Sequence, residues 1–223
     1  MRLFSKGKIS IAIVTTVLLV DQLIKIWVKT NMRRGESIRI ADWFYIYFTE
    51  NNGMAFGMEF INKLFLSSFR IVVVCFIIYL TYKAVRRNLP TGLIVCLSLI
   101  IAGALGNIVD SLIYGQIFSE SNFSEVATLV PWGSGYAPML YGKVVDMFYF
   151  PLVEFNWPGW MPFIGGEHFI FFSPIFNFAD AAISCGIIAL LIFYNKYLSS
   201  NTLQTGVEEE SKEQGEQPHE TTN

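Results

Sequence analysis

Four apolar stretches, each near the length that crosses a bilayer, constrain this chain more than any other feature. The hydrocarbon core takes about 20 residues of helix, and residues 9–28, 65–82, 93–114 and 176–194 supply runs of that order. Charged residues make up only 15% of the chain, where a soluble domain carries about a quarter. The expected fold is therefore a mainly α membrane protein with four transmembrane helices. The first stretch, behind Arg2, Lys6 and Lys8, imitates a signal peptide. Its apolar run continues past Asp21 to Trp27-Val28 with no small-residue cleavage site, so it reads as a span that is kept.

Basic residues near the helix ends set the orientation. Arg2, Lys6 and Lys8 precede the first helix, Lys83, Arg86 and Arg87 follow the second, and Lys196 follows the fourth. All fall on one side of a four-span protein, which places both termini in the cytoplasm. Arg33, Arg34, Arg39 and Lys63 in the loop 30–64 weigh against this, but less. Two segments, 29–64 and 115–175, then lie outside. Within the first, residues 38–49 are rich in β-branched and aromatic side chains and read as a strand. Asn51-Asn52-Gly53 behind it is turn chemistry, so a small antiparallel sheet is expected on the outer surface. The second is long and rich in Gly, Pro and aromatics, and Trp157, Trp160 and Phe163 are residue types of the membrane interface. Residues 201–223 carry six Glu against one Lys and no aromatics. They read as a disordered acidic tail, and the remainder of the chain is mildly basic, which suits anionic lipid headgroups. No basic stripe suggests nucleic acid.

Ionisable groups inside spans are costly and tend to mark function. Here they are Asp21, Lys25, Arg70, Asp110 and Asp180, with Asp146 returned to the membrane surface by its apolar neighbours Val144-Val145 and Met147-Phe148. Helices one and three run outward and helix four runs inward, so Asp21, Asp110, Asp146 and Asp180 gather near the outer face. Each also has a plain structural reading. Asp21 and Lys25, spaced i,i+4, pair on one helix face. Arg70 snorkels outward from its helix. Asp110 caps a helix or pairs with a cation. Asp180 suits the positive end of a helix dipole.

Several chemistries lack the residues they need. No helix contains the histidine that serine or cysteine catalysis uses as base, and no His-Glu-x-x-His cluster offers a zinc site. Cys75, Cys96 and Cys185 lie in apolar runs at spacings that fit no metal and read as small hydrophobes. His168 and His219 stand far apart. Paired carboxylates remain, one activating water while its protonated neighbour polarises a carbonyl. A small proton- or ion-coupled transporter also places acids in helices, and composition leaves that alternative open.

Five segments, in order along the chain, resemble the motifs of the lipoprotein signal peptidases (signal peptidase II). They are Asp21-Gln22-Leu23-Ile24-Lys25, Asn51-Asn52-Gly53-Met54-Ala55-Phe56-Gly57, Gly103-Ala104-Leu105-Gly106-Asn107-Ile108-Val109-Asp110, Val144-Val145-Asp146-Met147-Phe148, and Phe176-Asn177-Phe178-Ala179-Asp180-Ala181-Ala182-Ile183. The ordered set is far more specific than any one member. The resemblance implies four transmembrane helices with a small extracytoplasmic β-cradle. It implies an aspartic endopeptidase that needs no metal or organic cofactor and cuts diacylglyceryl prolipoproteins before the lipidated cysteine. It assigns Asp146 and Asp180 as the catalytic pair, Asp21 and Asp110 as support together with Lys25, and Asn51, Gly53, Asn107 and Asn177 as groups that hydrogen-bond substrate or catalytic side chains. The implied setting is the bacterial cytoplasmic (inner) membrane, with the protein a monomer in contact with lipid and its active site near the outer face. The chain departs from the family where Ser111 stands in place of a usual Arg, leaving Lys25 or an arginine of 33–39 as partner for Asp110. The segment 115–175 and the acidic tail are also longer than the family needs.

Overall fold

The computed structural model describes residues 2–51, 63–171 and 173–197. Gly53 and the turn expected around it, and the acidic tail, lie outside the described residues.

Helix α1 spans Arg2–Asn31, α2 Lys63–Arg86 and α3 Thr91–Val109. The α3 axis continues through a π-helical turn, Asp110–Tyr114, into the one-turn helix α4, Gly115–Ile117. The last long helix, α5, spans Phe178–Phe193. These are the expected helices with shifted ends. Nothing in residues 2–31 breaks a helix, so α1 runs well past both ends of its apolar stretch. Pro90, which lacks an N–H, stands at the α3 N-cap. Three helices, Lys6–Asn31, Lys63–Arg86 and Thr91–Ile117, are long and apolar enough to cross a membrane. The helix expected over 176–194 is shorter: Phe176 belongs to a strand and Asn177 is the N-cap. At about 1.5 Å per residue its 16 residues rise about 24 Å, less than the hydrocarbon thickness.

Helix α3 is the most enclosed of the three, and α5 packs closely along it. A Cβ on Gly103 would lie 2.2 Å from the Ala179 carbonyl oxygen, and one on Gly186 2.8 Å from that of Cys96. Small residues at such crossings let backbones approach where lipid offers no hydrophobic drive between helices.

The single strand expected over 38–49 is two strands. β1, Ser37–Ala41, pairs antiparallel with β2, Phe44–Asn51, around a two-residue turn at Asp42-Trp43. Strand-forming residues flank this turn so closely that composition hides it; the Arg39–Asp42 ion pair bridges its start. β2 pairs with β3, Val144–Tyr149, and β3 with β6, Ile175–Phe176, giving an antiparallel sheet of order β1-β2-β3-β6. β4, Val153–Asn156, and β5, His168–Phe171, form a separate two-stranded hairpin inserted between β3 and β6.

Side chains alternate across a strand, and this sheet uses the alternation to separate two tasks. Phe48, Val145 and Met147 point one way and are buried against Val28 and Met32 of α1, Tyr114, and Phe118. Thr49, Asn51 and Asp146 point the other way, since Thr49 is paired with Asp146 and Asn51 with Val144. One face makes the core beneath the sheet; the other carries polar groups.

Candidate active site

Asp146 lies at the middle of β3, and Asp180 is the third residue of α5. The two chain segments meet because β6 pairs with β3 and runs directly into the cap of α5. Asn177 caps that helix: its Oδ1 accepts from the Asp180 backbone N–H at 2.9 Å, and Asp180 Oδ2 accepts from the Asn177 N–H at 3.4 Å. The plain reading of Asp180 as a first-turn carboxylate therefore holds, and the same capping box aims its side chain at the site.

With Asn177 Oδ1 committed to the helix, its Nδ2 is left to donate outward. It reaches Asp146 Oδ1 at 2.6 Å and Asn107 Oδ1 at 3.2 Å. Asn107 Oδ1 also accepts from Lys25 Nζ at 2.9 Å. Ammonium has donors only, so Lys25 fixes which end of the Asn107 amide is oxygen. Asn107 Nδ2 then donates to Asp180 Oδ1 at 2.7 Å. On the far side, Asn51 Nδ2 donates to Asp146 Oδ2. Three asparagines thus tie the two carboxylates into one hydrogen-bonded network.

Beneath this layer sits a buried charge cluster. Asp21, Lys25 and Asp110 have no exposed surface. Lys25 Nζ lies 2.9 Å from Asp21 Oδ2 and 2.8 Å from Asp110 Oδ2. Both remaining carboxylate oxygens are satisfied. Ala179 N–H donates to Asp21 Oδ1 at 2.9 Å, and Gln22 Nε2 to Asp110 Oδ1 at 3.0 Å. Asp110 Oδ2 also faces the Val145 N–H at 3.3 Å. Asp21 and Asp110 therefore bind the chain just before Asp180 and Asp146 respectively. The open question of the Asp110 partner resolves to Lys25. Ser111 instead turns its hydroxyl back to the Asn107 carbonyl at 3.1 Å. The π-helical turn begins at Asp110, as such turns often do at functional sites.

Asp146 is buried and Asp180 half-buried. Desolvation, and then the Asp180 charge, raise the Asp146 carboxyl to about 7, against the hydrogen bond from Asn177 and the Lys25 charge. Arg70, half-buried on α2, acts electrostatically on Asp180 and Asp146. Snorkelling alone does not describe it; its charge is felt at the carboxylate pair.

Of the residues singled out from sequence, Asp21, Lys25, Asn51, Asn107, Asp110, Asp146, Asn177 and Asp180 converge here. Gly53 falls outside the described residues. Sequence reasoning missed Gln22, which Tyr114 Oη holds through Oε1 at 3.1 Å. It also missed Lys29, buried against Glu50 and Ser121. The signal for Lys29 was its spacing, one further turn along the face that bears Asp21 and Lys25.

Known proteins resemble this chain over most of its length. A lipoprotein signal peptidase of Porphyromonas gingivalis is 53% identical over 213 residues, covering 93% of this chain and 94% of that protein. Another from Amoebophilus asiaticus is 36% identical, over 78% of this chain and 72% of its own length. A third, from Clostridium tetani, is 30% identical over 83% and 92%. A bacterial membrane enzyme solved by the in meso method shares the fold with a TM-score of 0.57 at 24% identity, covering 86% of this chain and 91% of that one. The Peptidase_A8 family model, signal peptidase (SPase) II, matches residues 13–196, and on that span, which takes in Asp146 on β3 and Asp180 on α5, the chain belongs to the signal peptidase II family.

Proposed function

We propose that Asp146 and Asp180 are the catalytic pair of an aspartic endopeptidase. As a signal peptidase II, the chain removes signal peptides from prolipoproteins in a bacterial membrane. The proposal adds that the cut falls before the diacylglyceryl cysteine, that both termini are cytoplasmic, and that a single copy suffices. The observation that carries it is the shared asparagine bridge: Asn107 and Asn177 hydrogen-bond to each other, and each holds one aspartate. Neighbouring carboxylates do not readily ionise together. With Asp146 raised to about 7, the pair keeps one proton below that pH, which the proposal assigns to Asp146. The ionised Asp180 then takes a proton from water as the water attacks the scissile carbonyl carbon. Asp146 polarises the carbonyl oxygen and protonates it as the tetrahedral adduct forms. As the adduct collapses and its C–N bond breaks, Asp180 gives its proton to the leaving nitrogen and the adduct hydroxyl returns a proton to Asp146.

A proton-coupled transporter gains no support. Its acids would sit midway along broken helices, whereas here Asp180 opens α5 and Asp146 lies on a strand.

The test is purified full-length protein incubated with a diacylglyceryl prolipoprotein peptide across pH. Release of the signal peptide is expected, with activity falling on the alkaline side as pH passes about 7, where Asp146 loses its proton. No cleavage of the lipidated peptide would remove the proposal. A rate unchanged well above that pH would remove the protonated Asp146 from it.

Contact with lipid has its own support. The β4–β5 hairpin sets Val153 opposite Phe171 and Phe155 opposite Phe169 on one face, with Trp157 against Phe155 and Phe169. Trp160 and Phe163 stand out at its tip, 80% and 101% exposed. Two isolated strands are marginal in water, and aromatics of this kind settle at the headgroup level. The hairpin follows the end of β3 at Tyr149 and returns through β6 to the α5 cap, so it is tethered beside the site, where in this reading it and the β1–β2 sheet clasp the substrate at the membrane surface. Trp160→Ser with Phe163→Ser is expected to raise KM in proteoliposomes about fivefold with kcat nearly unchanged, a loss of uniform binding. Kinetics identical to the parent in lipid would detach the hairpin from this role.

A further inference from the structure

Lys29 and Glu50 form a second buried ion pair, which the mechanism above does not use. Lys29 follows Lys25 by one turn of α1, and Glu50 precedes Asn51 on β2. Neither side chain has more than 1% of its surface exposed, and the two are in direct contact. Ser121 Oγ braces both, accepting from Lys29 Nζ at 2.8 Å and donating to Glu50 Oε1 at 3.0 Å. Lys29 Nζ also lies 5.0 Å from the Tyr136 ring centroid and 5.4 Å from that of Phe118. Glu50 Oε2 has no hydrogen-bond partner among the described residues; Lys143 Nζ, at the foot of β3, lies 3.9 Å away. A buried pair of this kind is a poor device for stability alone, because desolvation offsets much of the attraction.

Its placement suggests another use. Glu50 projects from the core face of the sheet, and Asn51, the next residue, projects toward Asp146. Whatever fixes Glu50 fixes the end of β2, and with it the direction of the Asn51 amide. We infer that Lys29, through Glu50, positions Asn51 against Asp146, as Lys25 positions Asn107 against Asp180. One face of α1 then carries two lysines a turn apart, each orienting the asparagine that serves one carboxylate. Lys29 and Glu50 are positioning residues; neither touches the reacting atoms.

This inference rests on the assignment of Asp146 and Asp180 as the catalytic pair, and the experiment separates the two. Lys29→Met, Ser121→Ala and Asn51→Ala, with the doubles Lys29→Met/Asn51→Ala and Ser121→Ala/Asn51→Ala, are compared in full-length protein for kcat, KM and pH dependence. Lys29→Met is expected to lower kcat about tenfold and Ser121→Ala about threefold, each with KM within about twofold of the parent. Asn51→Ala lowers kcat about a hundredfold, and in that background neither second change lowers it further, because residues acting in series are non-additive. The pH profile supplies the second readout. The groups facing Asp146 are Asp180, Asp110, Lys25 and Arg70, and the Asn51 hydrogen bond favours its ionised form. Losing that bond moves the alkaline limb upward, so Ser121→Ala, which changes no charge, should move it upward and should not move it when Asn51 is already Ala. Ser121→Ala leaves no buried charge unpaired, so it reports even if Lys29→Met does not fold. Additive losses with an unmoved limb would overturn the positioning role. Full activity in Asp146→Asn would instead overturn the catalytic assignment.

Discussion

Asp146→Asn and Asp180→Asn are each expected to abolish cleavage, with the double variant no worse than either. An asparagine keeps the size of the side chain and most of its hydrogen bonds, but it neither gives nor takes the proton the pair shares. In the proposed mechanism, Asp180→Asn removes the base for water and Asp146→Asn the acid for the carbonyl oxygen. The expected loss in kcat is about a thousandfold or more for each, without addition in the double, because the two act as a unit. Asp21→Asn and Asp110→Asn behave differently. Asp21 holds the Ala179 N–H and Asp110 the Val145 N–H, one residue before each carboxylate of the proposed pair, so their loss is expected to lower stability or rate while turnover persists. Initial rates with a lipidated peptide decide between the groups. Substantial activity in Asp146→Asn beside none in Asp110→Asn would move the pair to Asp110 and Asp180.

Lys25→Met is the most damaging change expected outside the pair. Lys25 is the cation for two fully buried carboxylates and orients Asn107 as well. Methionine fills a similar volume but leaves Asp21 and Asp110 facing each other without a countercharge. Breaking one partner out of a buried ion pair costs about 3–5 kcal/mol, and here two carboxylates are stranded at once. The variant is expected to unfold at much lower temperature in detergent and to lose cleavage even where it stays folded, because the Asn107 amide is free to turn. Adding Asp110→Asn to Lys25→Met restores most of the thermal stability and little of the activity. A single Lys25→Met variant with parental melting temperature and turnover would show that neither carboxylate depends on it.

The sequence by itself determined the spans, the strand chemistry of 38–49 and the acids at one end of the helices. These are matters of local pattern: apolar run length, alternation, and the cost of a charge in lipid. The i,i+4 pair of Asp21 and Lys25 is of the same kind, since helix geometry alone brings them together, and so is the fitness of Asp180 for a first turn. Only the tertiary structure decided the rest. It split 38–49 into two strands at Asp42-Trp43, where propensity is uniform and cross-strand pairing chooses the turn. It shortened the last helix to begin at Phe178, because Ile175-Phe176 gains more by pairing with β3 than by another helical turn. It drew Asn51, 95 residues from Asp146 in the chain, to that carboxylate through the register of β2 on β3. It gave Asp110 to Lys25 rather than to an arginine of 33–39, and it buried Lys29 against Glu50. Each of these choices depends on which groups remain unsatisfied once the helices and strands pack, and that sum over distant partners is written in no short stretch of sequence.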